Sequence, residues 1–92
     1  MINIEFEKDQ KRSAAYEDGK EIGFSYFQIS PTVWNIYHTE VDEGHEGEGI
    51  AKKLVEKIVD SAREEGIKIM ATCPYARRLF KNSNEYDDVV IK

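Results

Sequence analysis

Apolar and polar residues alternate from the first residues of the chain, with Ile2, Ile4 and Phe6 interleaved with Asn3, Glu5 and Glu7. Side chains on a strand point to opposite faces in turn. Met1 to Lys8 therefore reads as a half-buried strand with one wet face rather than as a leader peptide. Lys8 to Lys11 makes a polar turn. A second strand runs from Ser13 to Glu17, and Glu17, Asp18, Gly19 and Lys20 supply hairpin chemistry, with Gly19 free to take a positive φ. Glu21 to Ile29 is a third strand, dense in aromatics (Phe24, Tyr26, Phe27). Ser30, Pro31 and Thr32 then turn the chain into a fourth, Val33 to Val41. Loops this short join antiparallel neighbours, so the four strands form a meander.

The period then changes. Ile50, Ala51, Leu54, Val55, Ile58, Val59 and Ala62 form one apolar stripe at helical spacing, while Lys52, Lys53, Glu56, Lys57, Asp60, Arg63 and Glu64 take the other face. The spacing predicts a helix over Ile50 to Glu65, with Gly66 as a left-handed C-terminal cap. Ile67 to Thr72 reads as a buried fifth strand, parallel to the fourth because a helical crossover separates them. Cys73 and Pro74 end it, Tyr75 to Lys81 forms one or two helical turns, and Asn82, Ser83 and Asn84 break them. Asp87 to Ile91 is a short apolar tail expected to close over the sheet. The order is ββββαβα, of the α/β (α+β) class: a mixed, mostly antiparallel five-strand sheet with one main helix and a short C-terminal helix.

Ninety-two residues suffice for one core, so residues 1–92 are read as a single domain. No apolar run approaches the ~20 residues that span a bilayer. A lone cysteine excludes a disulfide framework and a cysteine-based zinc site, which points to the cytoplasm. The net charge of −5 argues against nucleic acid, whose binding rests on a basic face. Lys8 with Lys11 and Arg12, and Arg77 with Arg78 and Lys81, are clusters too small to overturn that.

The passage from strand to helix carries the chemistry. Glu46, Gly47, Glu48, Gly49, Ile50 and Ala51 read x-G-x-G-x-A, a glycine turn opening directly into a helix. The first N–H groups of a helix have no intrahelical partner, and the helix dipole makes them a seat for phosphate. Glycines at 47 and 49 let a phosphate approach the main chain closely. The equally ordinary reading is a tight strand-to-helix turn. The lysine-serine tail of a nucleotide-triphosphate loop is absent, and the dinucleotide fingerprint fails because Lys52 stands where its last glycine belongs. Asp42, Glu43, Glu46 and Glu48 crowd the turn with negative charge, which Lys52, Lys53, Arg77 and Arg78 are placed to offset.

Strand, loop and helix together resemble the acetyl-coenzyme-A-binding core of the GNAT superfamily of N-acetyltransferases. Glu46, Gly49 and Ala51 fall at the defined positions of its Q/R-x-x-G-x-G/A signature. HTEV (His38 to Val41), GEGIAKKLV (Gly47 to Val55), and the CPY at Cys73 followed by N-x-E-Y (Asn82 to Tyr86) are similar to a very small, single-domain branch of it. The resemblance implies acetyl-CoA as substrate, its diphosphate held by main-chain N–H groups of Glu46, Gly47, Glu48, Gly49, Ile50 and Ala51. It implies that strand four splays from strand five, and that strand-four main chain as far as Val41 pairs with the pantetheine arm. Glu46 departs from the usual Gln or Arg, which leaves the phosphates to the main chain. The resemblance also implies that the helices and strands with which larger relatives build an acceptor pocket are missing, and it names no acceptor.

Within that frame Cys73 resembles a cysteine suspected of accepting the acyl group, a thiolate attacking the thioester. A buried cysteine acting as a small hydrophobe is the plain alternative. Thiolate formation needs a helix N-terminus or a cation, for which the helix after Pro74 and His38 are the candidates. His38 and Glu40 share one face of strand four, and either is a candidate base for an amine, which must be neutral to attack; a histidine bonded within the sheet is the alternative. Tyr75 is a candidate proton donor to the leaving thiolate, or packing. His45 reads as an exposed loop residue, and Trp34 with the strand-three aromatics as core. The reading is an N-acetyltransferase acting on an unidentified amine as a monomer or weak dimer, without metal, nucleic acid or membrane. The alternatives are a coenzyme-A-binding or acyl-sensing module with little turnover, and an interaction domain that binds no cofactor.

Overall fold

The computed structural model describes residues 1–45 and 47–91. Its elements are β1 (Ile2–Glu7), a 3-10 turn (Lys8–Gln10), β2 (Arg12–Glu17), β3 (Lys20–Ile29), β4 (Val33–Val41), α1 (Ile50–Glu65), β5 (Lys68–Ala71) and α2 (Pro74–Lys81). The five strands lie in chain order across the sheet. The first four pair antiparallel, and β4 pairs parallel with β5. Asp18 and Gly19 both take positive φ at the β2–β3 hairpin, which keeps the turn in step with the strand twist.

α1 lies across one face of the sheet and touches all five strands. Leu54, Val55, Ile58 and Val59 of its stripe are fully buried, each contributing about 1.5–3 kcal/mol. Ala76 and Phe80 of α2 join the same core, with Phe27, Trp34 and Ile36 from the strands. Phe6, Phe27 and Trp34 stack at centroid separations of 5.7, 5.9 and 4.8 Å. A polar link crosses from β2 to the helix here: the buried Ser13 hydroxyl donates to the Leu54 carbonyl at 2.8 Å. Replacing Ser13 by Ala is expected to cost about 1 kcal/mol, read as a lower urea midpoint with an unchanged slope.

No helix covers the opposite face among the described residues, and this corrects three expectations. Phe24 and Tyr26 are half-buried rings on that open face, and only Phe27 of the strand-three aromatics is core. β5 is shorter than expected and buries only Ile69, with Met70 40 % exposed, because α1 shields just one side of it. The apolar tail does not close over the sheet but extends it. Ile69 donates to the Val89 carbonyl and accepts from the Ile91 N–H, both at 2.8 Å, because the outer edge of β5 has main-chain groups to satisfy. Tyr86 anchors this tail by meeting Phe80 edge to face and donating to Glu56 at 2.7 Å.

Arg12, grouped above with surface lysines, is nearly buried on the open face. It binds Glu7 at 2.7 Å and Glu21 at 2.8 Å, and Tyr16 donates to the second Glu7 oxygen at 2.5 Å. The Tyr16 hydroxyl foremost, with Arg12 and against the effect of burial, holds the Glu7 carboxyl below its ordinary 4.5.

Candidate active site

The two halves of the parallel pair part company early. β4 and β5 pair only from Val33 with Lys68 to Ile36 with Ala71, and the N–H groups of Thr72 and Cys73 then converge on the Ile36 carbonyl at 3.0 and 3.1 Å. Pro74 offers no N–H and holds Cys73 extended, so the strand ends and α2 begins. β4 runs on from Tyr37 to Val41 without a β5 partner among the described residues. The Asp42 N–H turns to Ile22 on the β3 side at 2.8 Å, so by alternation those of Val41 and Thr39 face the gap.

A bulge sets which side chains line that gap. Tyr26 pairs with His38 but Phe27 with Ile36, leaving Tyr37 as an extra residue of β4. Ile36 is buried beneath α1, Tyr37 and His38 both turn to the open face, and Thr39 returns to the core side. Tyr26, Phe24 and His38 form a row of rings there, Tyr26 also stacking on Tyr37 at 6.2 Å. His38 and Glu40 share this face as expected, Nε2 to Oε2 at 3.7 Å, both well exposed.

At the far end of the gap the chain turns into α1. Val41 packs against the cluster of Ala15, Ile22, Ile50 and Leu54, which ties the start of the helix to the end of β4. Gly47 and Gly49 have φ of +81° and +77°, and an added Cβ would meet nothing within 4 Å. Backbone conformation therefore demands these glycines, and the space above them is open. Gly49 caps α1 without any side-chain hydrogen bond, and Lys53 is the residue whose N–H returns to the Gly49 carbonyl, at 3.2 Å. The first-turn N–H groups of Ile50, Ala51 and Lys52 thus have no partner within the helix. Glu48 is exposed, Ala51 half-buried, and Glu46 lies outside the described residues.

His45 is not the exposed loop residue expected. It is partly buried between Glu17 at 3.6 Å and Glu48 at 3.5 Å, which sequence distance concealed. Arg77 and Arg78 line a groove of about 880 Å³ with Met70, Thr72, Phe80 and Ile91, which includes no residue of the glycine turn.

Cys73 is buried at the mouth of the gap as the N-cap residue of α2. The helix dipole is therefore at hand, but His38 is not on its side of the sheet. The Cys73 thiol meets Thr39 instead, Sγ to Oγ1 at 3.6 Å, and Thr39 bonds the fully buried Ser25 hydroxyl at 2.8 Å. Thr39 stands inside the HTEV run between the two residues singled out there. The sequence held no signal for it, because plain alternation from Trp34 and Ile36 turns Thr39 away from the core and only the Tyr37 bulge brings it back. Burial, then the Glu56 carboxylate, holds the half-buried Tyr75 phenol above its ordinary range, with Cys73 adding in the same direction. It stays protonated at neutral pH.

The family model described as GCN5-related N-acetyl-transferase matches residues 12–89. The chain belongs to the GCN5-related N-acetyltransferase family. Human protein NATD1 is 33 % identical over 58 residues, 63 % of this chain and 51 % of that protein, so the chain spans about half the length of curated relatives it matches. A GCN5-like protein from Staphylococcus aureus is 25 % identical with a TM-score of 0.77, covering 97 % of this chain and 87 % of its own. N-acetylglutamate synthase from Neisseria gonorrhoeae, solved with coenzyme A and N-acetylglutamate, shares the fold at 19 % identity and a TM-score of 0.67, over 86 % of this chain and 21 % of that one. No helix here is long and apolar enough to cross a membrane, and no group of three or more His, Cys, Asp or Glu among the described residues is arranged to hold a metal.

Proposed function

We propose that this chain transfers an acetyl group from acetyl-CoA to an amine by way of Cys73. The observation that carries the reading is a continuous one. Unpaired β4 main chain facing the β4–β5 gap leads straight into the uncapped N-terminus of α1, so an extended arm and its diphosphate have donors along one path. The gonococcal synthase, part of which shares this fold, was solved with coenzyme A, which supports coenzyme A as the ligand. Main-chain N–H groups at Gly47, Glu48, Gly49, Ile50 and Ala51 seat the diphosphate, and Glu46 contributes through its main chain. Val41 and Thr39 pair with the arm. Cys73 at the mouth of the gap takes the acetyl group, with the protonated Tyr75 phenol packed close by. His38, backed by Glu40 on the open face, is the base for the alternative in which the amine is acetylated directly without Cys73. A lone cysteine that must remain a thiol suits the cytoplasm.

Two measurements test this. Coenzyme A titration is expected to move amide resonances from Val41 to Leu54, and silence there overturns the site. Intact mass after incubation with acetyl-CoA is expected to show one acetyl adduct that is lost in Cys73→Ala. An unmodified protein that still acetylates an amine would assign direct transfer to His38 or Glu40 instead.

A further inference from the structure

Thr39 stands between two hydrogen-bonding groups that the packing of the core does not require. Its hydroxyl lies 2.8 Å from the Ser25 hydroxyl and 3.6 Å from the Cys73 thiol. Ser25 is fully buried and Cys73 nearly so. An apolar pair of similar shape at 25 and 39 would keep the fold about as stable, since burying two hydroxyls that satisfy each other yields little net energy. Fold stability therefore does not account for them. Their position does: β4 carries Thr39 on the core side because the Tyr37 bulge reverses the alternation, and this sets the hydroxyl against the thiol at the mouth of the gap.

We infer that Thr39 is a catalytic residue, the proton relay for acyl exchange at Cys73; this rests on the acetyl-Cys73 route proposed above. In the first half-reaction Sγ attacks the thioester carbonyl carbon, the new C–Sγ bond forms and the bond from carbon to the coenzyme A sulfur breaks. The proton on Sγ passes to the Thr39 oxygen, and the proton Thr39 already holds passes to the departing sulfur. Coenzyme A leaves as a neutral thiol and the threonine is regenerated. In the second half-reaction the amine nitrogen attacks acetyl-Cys73 and the C–Sγ bond breaks. The amine proton passes to the Thr39 oxygen while the proton Thr39 holds passes to Sγ, so the thiol and the threonine are both regenerated. Ser25 is a positioning residue, holding the Thr39 hydroxyl in the rotamer that faces the thiol.

The test follows acetyl adduct formation and coenzyme A thiol release after mixing with acetyl-CoA, in the wild type, Thr39→Val, Thr39→Ser and Ser25→Ala. Affinity for coenzyme A and the thermal midpoint are measured on the same samples. Thr39→Val is expected to slow both signals by about 100-fold, the scale of a positioned proton-transfer group, while affinity stays near wild type and melting falls only modestly because the Ser25 hydroxyl loses its partner. Thr39→Ser restores the hydroxyl and is expected to restore the rate, a rescue that simple packing loss would not produce. Ser25→Ala is expected to slow labelling several-fold and serves should Thr39→Val fail to fold. Labelling at the wild-type rate in Thr39→Val, or in Ser25→Ala where Thr39→Val cannot be used, overturns the relay and leaves the acyl-cysteine reading standing. No adduct on the wild type overturns that reading, and the relay falls with it.

Discussion

Arg12→Ala is expected to lose about 2–3 kcal/mol of stability, a large share of the roughly 5–15 kcal/mol that holds a small domain together. The guanidinium is nearly buried and binds Glu7 and Glu21 at 2.7 and 2.8 Å, with Tyr16 completing the Glu7 carboxylate. Removing it strands partly shielded carboxylates against an apolar sheet face. The effect falls below the ~3–5 kcal/mol of a fully buried pair because both carboxylates still reach water. The cluster also makes stability depend on pH with a definite sign. The folded Glu7 carboxyl is held below 4.5, so the unfolded chain takes up a proton first as pH falls. Its contribution is full above the unfolded value and disappears as pH drops through the folded one. Glu7→Gln is accordingly less stable than wild type at pH 7, and the gap narrows below about pH 4.5. Urea midpoints measured from pH 7 to pH 3 check both statements. A gap that stays constant across that range would assign the loss to packing rather than charge.

Gly49→Ala is expected to weaken coenzyme A binding by tenfold or more. At φ +77° an alanine costs about 1–2 kcal/mol, and the chain relieves this by turning the residue out of the left-handed region. That rotation re-aims the first-turn N–H groups of α1, the donors on which the diphosphate depends. A cost of about 1.4 kcal/mol already corresponds to tenfold in affinity. Gly19→Ala is the control: it sits at φ +83° in the β2–β3 hairpin, carries a similar strain, and is expected to lower the melting midpoint without altering affinity. Calorimetric titration beside thermal melting separates the two. Equal affinity in Gly49→Ala and wild type would remove the loop from the binding site.

Much of the local structure was legible because local physics decides it. The stripe from Ile50 to Ala62 predicts α1 with the bounds observed, since burial of one apolar face is the main force that forms the helix. Val33 to Val41 is likewise the observed β4, bounded by a Pro-containing turn and the glycine loop. The parallel pairing of β5 followed from the helical crossover. The candidate site was legible in the same measure. His38 and Glu40 share a face, and Cys73 stands just past β5 at the start of α2, because strand alternation and a proline settle both placements.

What failed to show were side-chain contacts between distant segments. His45 gave no sign of Glu17, 28 positions away, nor Arg12 of its burial between two carboxylates. His38 seemed a partner for Cys73, yet the two fall on opposite sides because Tyr37 is an unpaired extra residue, and a bulge leaves no mark in hydrophobic periodicity.

The sequence by itself determined the elements, their order and the glycine turn, because period, propensity and backbone freedom act over a few neighbouring residues. Only the tertiary structure decided that one sheet face stays uncovered among the described residues, that β4 parts from β5 at Ile36 and no later, and that Thr39 rather than His38 touches the thiol. Those outcomes depend on register across strands, where a single inserted residue redirects the side chains that follow and no short-range signal records it.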